Sequence, residues 1–177
     1  DGAGLQPVES EALTAMLADT DVSVEYDGGV MRIYTDGADV SERIREHRVS
    51  RLASDFSALK SVRLTLVALQ RKLAAEKNTI LDGRDIGTFV LPDADFKFYL
   101  TASAEVRAMR RCLELKSRGQ DCEYGRVLQD IVERDYNDSH REFAPLKKAP
   151  DAVEIDSTRM TIDEVVAAML KIIREGR

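Results

Sequence analysis

Several features are scarce in this chain of 177 residues, and each scarcity argues against a class of protein. The two cysteines and two histidines are too few for a disulfide framework and lack metal-ligand spacing, so we expect reduced cysteines and no metal site. No apolar run approaches the roughly 20 residues of a membrane span, and the first residues do not read as a signal peptide. The net charge of −6 argues against the basic face of a general nucleic-acid-binding protein. Together these absences predict a cytoplasmic protein.

The remaining composition, with 44% apolar and 33% charged residues, is that of a folded globular domain. In the first half, the residue pattern predicts a short helix over residues 7–18 and a β-hairpin that turns at Gly28-Gly29. A second turn signal at Asp36-Gly37 indicates a small antiparallel sheet, and a helix is expected over residues 41–56 with Ser41 as its cap. A longer helix follows, with its apolar residues on one face: Val62, Leu66, Leu69 and Leu73.

In the second half, short apolar strands alternate with helices, which predicts a parallel α/β sheet. The predicted strands cover residues 79–81, 96–100 and 152–156. Two helices are expected to begin at clear capping signals, one at Ser103 and one at the capping box of residues 161–164. Ligands of such sheets bind beyond the carboxyl ends of the strands. Residues 82–85 and 156–158 therefore mark the predicted site.

The segment Asp82-Gly83-Arg84-Asp85 gathers charged groups around a glycine that allows close approach of the backbone. Arg84 offers a planar fork that suits bidentate phosphate binding, and a flanking carboxylate could orient it or hold a ligand donor. The alternative is an ordinary turn whose charges form a surface ion pair. The tetrapeptide by itself leaves both readings open.

The densest arginine stretch of the chain lies between residues 107 and 141. Its members are Arg107, Arg110, Arg111, Arg118, Arg126, Arg134 and Arg141. Arginine suits planar recognition of phosphate better than lysine does. The acidic residues interleaved with these arginines could instead neutralise them along solvated helix faces. Composition alone does not decide between a phosphate site and a solvated surface.

Several motifs in this chain, taken together, resemble the signature of the bacterial cytidylate kinases. The matching runs are Leu81-Asp82-Gly83-Arg84-Asp85-Ile86-Gly87-Thr88, Leu91-Pro92-Asp93-Ala94, Leu100-Thr101-Ala102-Ser103-Ala104-Glu105-Val106-Arg107, Glu133-Arg134-Asp135, Asp138-Ser139, Arg141, Ala144-Pro145-Leu146 and Asp151-Ala152-Val153-Glu154-Ile155-Asp156-Ser157-Thr158. The motifs stand in the family's order, and the resemblance covers essentially the whole chain.

The resemblance implies an α/β fold with a parallel-sheet core like that of P-loop kinases, a small antiparallel-sheet lobe that binds the nucleoside monophosphate, and a helical lid. The implied boundaries are 1–57 for the lobe, 58–117 and 140–177 for the core, and 118–139 for the lid. The implied reaction of pyrimidine metabolism transfers the γ-phosphoryl group of ATP to CMP or dCMP, with Mg²⁺ as cofactor. The implied partners are these nucleotides, with no nucleic acid and no membrane, and the complete enzyme is expected to be a monomer.

The resemblance also assigns residues to parts of a nucleotide site. The positions that match the surroundings of the cytosine base are Ser54, Arg63 and Asp85. The positions that match the acceptor phosphate and the sugar are Arg84, Arg141, Arg134 and Asp138. The expected catalytic residues are Arg84, Arg134 and Arg141. The arm that leads to the lid carries Arg107, Arg110 and Arg111, and one or more of these arginines is expected to face the phosphates of ATP.

One motif of the family is missing from the sequence. No G-x-x-x-x-G-K-[ST] loop is present, although such a loop cradles the phosphates and supplies the hydroxyl that binds Mg²⁺. In the family that the chain resembles, the strand before that loop lies between the strands that match residues 79–81 and 96–100. Without the missing strand, the backbone groups of these two strands would lack hydrogen-bond partners along the edges that face each other. We therefore expect the native polypeptide to extend upstream of Asp1 by roughly 40–50 residues, enough for a β-α-β unit. The chain alone would then be inactive and loosely folded.

Two alternatives to a cytidylate kinase stay open. The first is a non-catalytic CMP-binding fragment or pseudokinase, which the missing loop would produce. The second is a kinase for another small phosphate acceptor of the same fold family. The acceptor preference separates the second alternative from a cytidylate kinase, and the set of residues matched to the cytosine favours the cytidylate kinase.

Overall fold

The computed structural model of the protein describes residues 4–176, without the side chains of residues 27, 47, 48, 50, 51 and 54. The described chain forms two compact units that meet in sequence between Asn78 and Thr79. The boundaries of the lobe, core and lid that the resemblance implies stay a prediction.

The first unit begins with helix α1, Glu11–Asp19. The hydroxyl of Ser10 caps this helix by accepting a hydrogen bond from the Leu13 amide at 3.2 Å. The helix therefore begins later than the predicted residue 7, because the Ser10 side chain provides the hydrogen-bond acceptor for an amide of the first turn. Leu13 is fully buried, and α1 packs against a later helix, α3, Lys60–Glu76.

The predicted hairpin is present as strands β1, Val22–Asp27, and β2, Val30–Thr35, which pair antiparallel. Gly28 and Gly29 form its turn with φ values of 57° and 84°, which favour glycine. A two-residue strand β3, Ala38–Asp39, pairs with β2 after the second turn and completes the predicted antiparallel sheet.

The helix expected to begin at Ser41 begins later. A short 3₁₀ turn at Arg43–Arg45 precedes helix α2, His47–Ser57. The Ser41 hydroxyl instead accepts a hydrogen bond from the Ile33 amide at 2.9 Å and donates one to Asp39 at 2.6 Å. The serine therefore fastens the segment to the sheet and is not available as a helix cap. This competition between local partners is typical of serine.

Helix α3 confirms the longer predicted helix but shifts its buried face. Val62 and Val67 are the buried residues of α3, whereas Leu66 is 38% exposed. The predicted apolar stripe therefore lies partly at the edge of the buried face.

The second unit contains a parallel pair of strands, β4, Phe98–Thr101, and β5, Val153–Asp156. Helices α4, Ala104–Ser117, and α5, Tyr124–His140, lie between these strands in sequence and pack against each other. Helix α6, Ile162–Glu175, follows β5. The alternation of strands and helices and the parallel pairing confirm the predicted α/β class.

The strand predicted at residues 79–81 is absent from this unit. These residues have no regular secondary structure, and the Ile80 side chain is 99% exposed. A strand is held by hydrogen bonds to a neighbouring strand, and in the described part of the chain none pairs with these residues. The apolar composition of residues 79–81 was therefore not sufficient to predict a strand.

The helix-start predictions in this unit are confirmed. Ser103 caps α4 by accepting a hydrogen bond from the Val106 amide at 3.3 Å. Thr161 and Glu164 form the predicted reciprocal capping box at the start of α6.

The prediction of reduced cysteines is wrong in this structure. Cys112 of α4 and Cys122 of the loop before α5 form a disulfide, with their Cα atoms 5.3 Å apart. Counting cysteines tests for a framework of several bridges, but one bridge needs only two side chains that the fold brings together. The turn between α4 and α5 brings these two together.

The described core of the second unit is small and includes buried polar groups. Its buried apolar residues include Val90, Ala108 and Ile155. Lys97 is buried as well, and its ammonium donates to the Pro92 carbonyl and pairs with the carboxylate of Asp151. Among the described residues, no helix is both long enough and apolar enough to cross a membrane.

Candidate functional site

Asp85 is the most deeply placed charged residue of the predicted site, with 1% of its surface exposed. Its backbone carbonyl accepts hydrogen bonds from the amides of Phe89, at 2.8 Å, and Val90, at 3.1 Å, across a single π-helical turn, Ile86–Val90. The Phe89 ring packs edge-on against Phe143 with 5.1 Å between ring centroids. This aromatic contact brings the chain that follows α5 onto the Asp85 segment.

Asp138, on α5, meets two of the predicted site arginines. Its Oδ2 lies 2.8 Å from Nε of Arg84 and 3.8 Å from Nε of Arg134. The backbone carbonyl of Asp138 also accepts a hydrogen bond from the Leu146 amide at 2.7 Å, which folds the chain after α5 back onto the helix. The structure thus joins the Asp-Gly-Arg-Asp segment to α5 through this carboxylate.

Arg141 follows α5 directly and reaches toward Asp85. Its Nε donates to the Ala144 carbonyl at 2.6 Å, and Ala144 takes a positive φ of 49° in this tight turn. Its Nη2 lies 3.8 Å from Oδ1 of Asp85, which is too long for a hydrogen bond. This Nη2 is buried and finds no hydrogen-bond partner among the described residues. A buried donor in this position is suited to an acceptor supplied by a ligand.

The electrostatic surroundings of Arg141 match that role. Burial lowers the pKa of its guanidinium, while the carboxylate of Asp138 opposes this shift and the guanidinium of Arg84 adds to it. An arginine stays charged at physiological pH, so the result is a poorly solvated positive charge beside a second one. A phosphate oxygen would satisfy both groups.

The cluster contains three guanidinium groups and two carboxylates, so these five groups together carry a formal charge of +1. Its members are Arg84, Arg134, Arg141, Asp85 and Asp138. The side chains of Arg84 and Arg134 are 39% and 61% exposed, so a ligand can reach them. Groups of this kind bind and stabilise anions, and none of them is an activated nucleophile.

The arginines of α4 all have acceptors within the protein. Arg110 donates to the carbonyl of Ser157 at 2.6 Å, to its hydroxyl at 3.1 Å and to the carbonyl of Met160 at 3.1 Å. Arg111 pairs with Glu114 of the same helix at 2.7 Å, and its side chain is 45% exposed. Arg107 is bound to Asp135 and to a backbone carbonyl. Which of these arginines faces a donor nucleotide stays a prediction.

The residues matched to the cytosine are divided between the two units. Arg63 lies half-buried on α3 in the first unit, and Asp85 lies in the second. The Ser54 side chain is outside the described residues. The role of this set stays a prediction.

Asp135 is the residue for which sequence analysis assigned no role. It belongs to the matched run Glu133-Arg134-Asp135, but its partner, Arg107, stands 28 residues earlier. One sequence feature could have indicated a role for Asp135. It stands on α5 three residues before Asp138, and this spacing places the two acids on one helix face.

The described residues contain no group of three or more His, Cys, Asp or Glu side chains that could hold a metal ion.

The parallel strand pair places the protein in the α/β class, and the arginine cluster with its buried, unsatisfied donor has the chemistry of an anion-binding site. Comparison with known proteins narrows this class. The cytidylate kinase family model matches residues 3–175. The chain is 49% identical over 164 residues to a cytidylate kinase of Caldicellulosiruptor saccharolyticus, covering 93% of this chain and 73% of that protein.

Two further relatives give the same family. A cytidylate kinase of Geobacter sulfurreducens is 46% identical over 173 residues, covering 98% of this chain and 74% of the relative. A cytidylate kinase of Lactobacillus gasseri is 44% identical over 167 residues, covering 94% of this chain and 73% of the relative. The chain belongs to the cytidylate kinase family, and these relatives are enzymes of that name.

Proposed function

We propose that the protein transfers the γ-phosphoryl group of ATP to CMP or dCMP, giving CDP or dCDP and ADP. The observation that supports this most directly is the buried Nη2 of Arg141, which has no acceptor among the described residues and lies beside Arg84 in a cluster of net positive charge. Membership of the cytidylate kinase family supports a nucleoside monophosphate as the anion.

In this proposal Arg84 and Arg141 bind the acceptor phosphate. Arg84 is held by Asp138 through a hydrogen bond from Nε at 2.8 Å. A guanidinium fixed in this way can donate to phosphate oxygens with little loss of side-chain freedom. Arg134 and Asp138 lie next to it and are proposed to contact the sugar.

The base would be recognised by Ser54, Arg63 and Asp85. The burial of Asp85 supports this part of the proposal, because a buried carboxylate discriminates strongly between a donor and an acceptor on a ligand. Cytosine carries an exocyclic amine where uracil carries a carbonyl. A carboxylate acceptor therefore favours cytosine.

The donor side would use one or more of Arg107, Arg110 and Arg111. Of the three, Arg111 can turn toward a phosphate most readily, because its pair with Glu114 is exposed and solvent weakens the attraction. Residues 118–139 would close over ATP as a lid and exclude water. We further propose a monomer of the cytoplasm, acting in pyrimidine metabolism with Mg²⁺ and these nucleotides.

The acceptor assignment is tested by titration calorimetry of the whole protein with CMP. Arg141→Ala and Arg84→Ala each remove a charge-assisted hydrogen bond, and we expect CMP binding to weaken by about 1.5–3 kcal/mol. The control is Arg118→Ala, which removes an exposed arginine that pairs with Glu114. Unchanged CMP affinity in both site variants would show that the phosphate binds elsewhere.

A non-catalytic CMP-binding protein is the second candidate, and the absence of a G-x-x-x-x-G-K-[ST] loop from these 177 residues favours it. Both candidates bind CMP, so affinity does not separate them. Formation of CDP from CMP and Mg·ATP does. CMP binding with no detectable product would establish the non-catalytic protein.

A further inference from the structure

Arg107 joins three elements of the second unit through one guanidinium. Its Nε donates to the carbonyl of Ala102, directly after β4, at 3.0 Å. Its Nη1 and Nη2 donate to the two carboxylate oxygens of Asp135 at 2.9 and 2.6 Å. This bidentate pairing fixes both distance and orientation. The end of β4, the first turn of α4 and the middle of α5 are thereby held together.

Asp135 is placed to carry this restraint into the site. It stands three residues before Asp138, so the two carboxylates project from neighbouring turns of one helix face. Asp138 in turn holds Arg84 at 2.8 Å. A rotation or slide of α5 that broke the Arg107–Asp135 pair would also displace Asp138 from Arg84.

The same geometry opposes direct contact between Arg107 and a nucleotide. Three of its five N–H groups, one on each nitrogen, already donate to protein acceptors. The hydrogen bonds to Asp135 outweigh the effect of burial and raise the pKa of the Arg107 guanidinium. Only its two remaining N–H groups are available to a phosphate as long as the bidentate pair with Asp135 is kept.

We propose that Arg107 is a positioning residue, which acts through Asp135 to hold α5 so that Asp138 and Arg134 meet Arg84, and which contacts no nucleotide itself. This inference rests on the proposed acceptor site. It separates Arg107 from Arg110 and Arg111, with which the sequence resemblance grouped it.

The test is a double-mutant cycle in the whole protein with Arg107→Ala, Asp135→Ala and the double variant, read by the Kd for CMP and the KM for ATP. We expect each single variant to raise the Kd for CMP by about three- to fivefold, as for a partly exposed ion pair. The double variant should be no worse than either single variant, because all three break the same link. The KM for ATP should not change.

A charge-reversed protein, Arg107→Asp with Asp135→Arg, provides the rescue, and Arg174→Ala, which removes an exposed arginine of α6, is the control. The reversed pair should recover most of the CMP affinity, which a residue that contacts phosphate could not do. The inference is overturned if Arg107→Ala raises the KM for ATP while Asp135→Ala does not. It is also overturned if the two single effects on CMP binding add in the double variant.

Hydrogen exchange of the α5 amides without nucleotide gives an answer that does not depend on the proposed function. Exchange in α5 should quicken by about three- to fivefold in both single variants relative to wild type and Arg174→Ala, while β4 stays unchanged. Unchanged α5 exchange would overturn the inference whatever the ligand is. If wild type fails to bind CMP but α5 still loosens in the variants, the proposed function fails and the positioning of α5 by Arg107 stands.

Discussion

At the scale of single residues, the site is governed by how two carboxylates are shared among three guanidinium groups. Asp138 holds Arg84 closely, at 2.8 Å, whereas Asp85 lies 3.8 Å from Arg141. The first contact orients an arginine before any ligand arrives, and the second leaves a donor available. Such preorganisation lowers the entropy cost of binding.

Asp85→Asn is expected to erode the preference for CMP over UMP more than it weakens phosphate binding. The change keeps the shape of a fully buried side chain but replaces a carboxylate acceptor by an amide that can also donate, so the preference should fall by about 1–3 kcal/mol. The measurement is the ratio of the CMP and UMP dissociation constants from calorimetry. Asp82→Asn, an exposed acid of the same segment, is the matched control. Equal losses for both nucleotides would contradict the assignment.

At the scale of elements, the start of α6 depends on Thr161 and Glu164. The Thr161 hydroxyl accepts from the Glu164 amide, and the Glu164 carboxylate accepts from the Thr161 amide at 2.8 Å. We expect Thr161→Ala to destabilise α6 by about 0.5–2 kcal/mol, measured by native-state hydrogen exchange of the α6 amides. Thr65→Ala is the control, because the Thr65 hydroxyl bonds only within α3.

The cap should also depend on pH. Hydrogen bonds from the Thr161 amide and hydroxyl lower the pKa of Glu164 below its ordinary value of 4.5. The stabilisation from this carboxylate is therefore present above pH 4.5 and is lost as the pH falls through the lowered pKa. The difference between wild type and Thr161→Ala should narrow in acid. A difference that widened below pH 4.5 would contradict the capping role of Glu164.

Elements with local signals were predictable, and those that need a distant partner were not. Ser103 and Thr161 start helices through contacts within four residues, and both predictions are confirmed. Residues 79–81 have the apolar composition of a strand, but a strand exists only beside another. Ser41 had two possible local partners, and composition could not decide between them.

The site shows the same division between local and distant information. The sequence placed Arg84, Asp138 and Arg141 in matched motifs, and the structure brings them into one cluster with Asp85. The pairing of Arg107 with Asp135 spans 28 residues and depends on how α4 packs on α5, which no periodicity encodes. The same packing brings Cys112 and Cys122 together.

At the scale of the whole molecule, the Cys112–Cys122 bond makes the stability of the protein depend on whether the surrounding solution is oxidising or reducing. The bond closes a loop of ten residues in sequence, and we expect its reduction to lower the free energy of unfolding by about 2–3 kcal/mol. The measurement is a urea unfolding curve with and without a dithiol reductant. Alkylation of the unfolded protein should add two labels only after reduction.

Cys122→Ser is the control for that experiment, because it removes the bond and leaves the buried Cys112 in place. Reductant should have no effect on its unfolding curve. If two labels appear in wild type without reductant, the thiols are free in solution and the bond does not form there. The bond also bears on the proposed cytoplasmic location, where thiols are kept reduced and such bonds are transient.

The unsatisfied donor of Arg141 makes the folded molecule responsive to its ionic medium even when no chemistry occurs. An anion that fills this position binds the folded chain and not the unfolded one, so the melting temperature should climb with its concentration. At a hundredfold excess over Kd, the gain is about 2.7 kcal/mol. Inorganic phosphate should raise the melting temperature above that in chloride of equal ionic strength, and CMP should raise it at lower concentration than phosphate. Heating the protein in different salts can therefore rank its ligands before any assay of turnover exists.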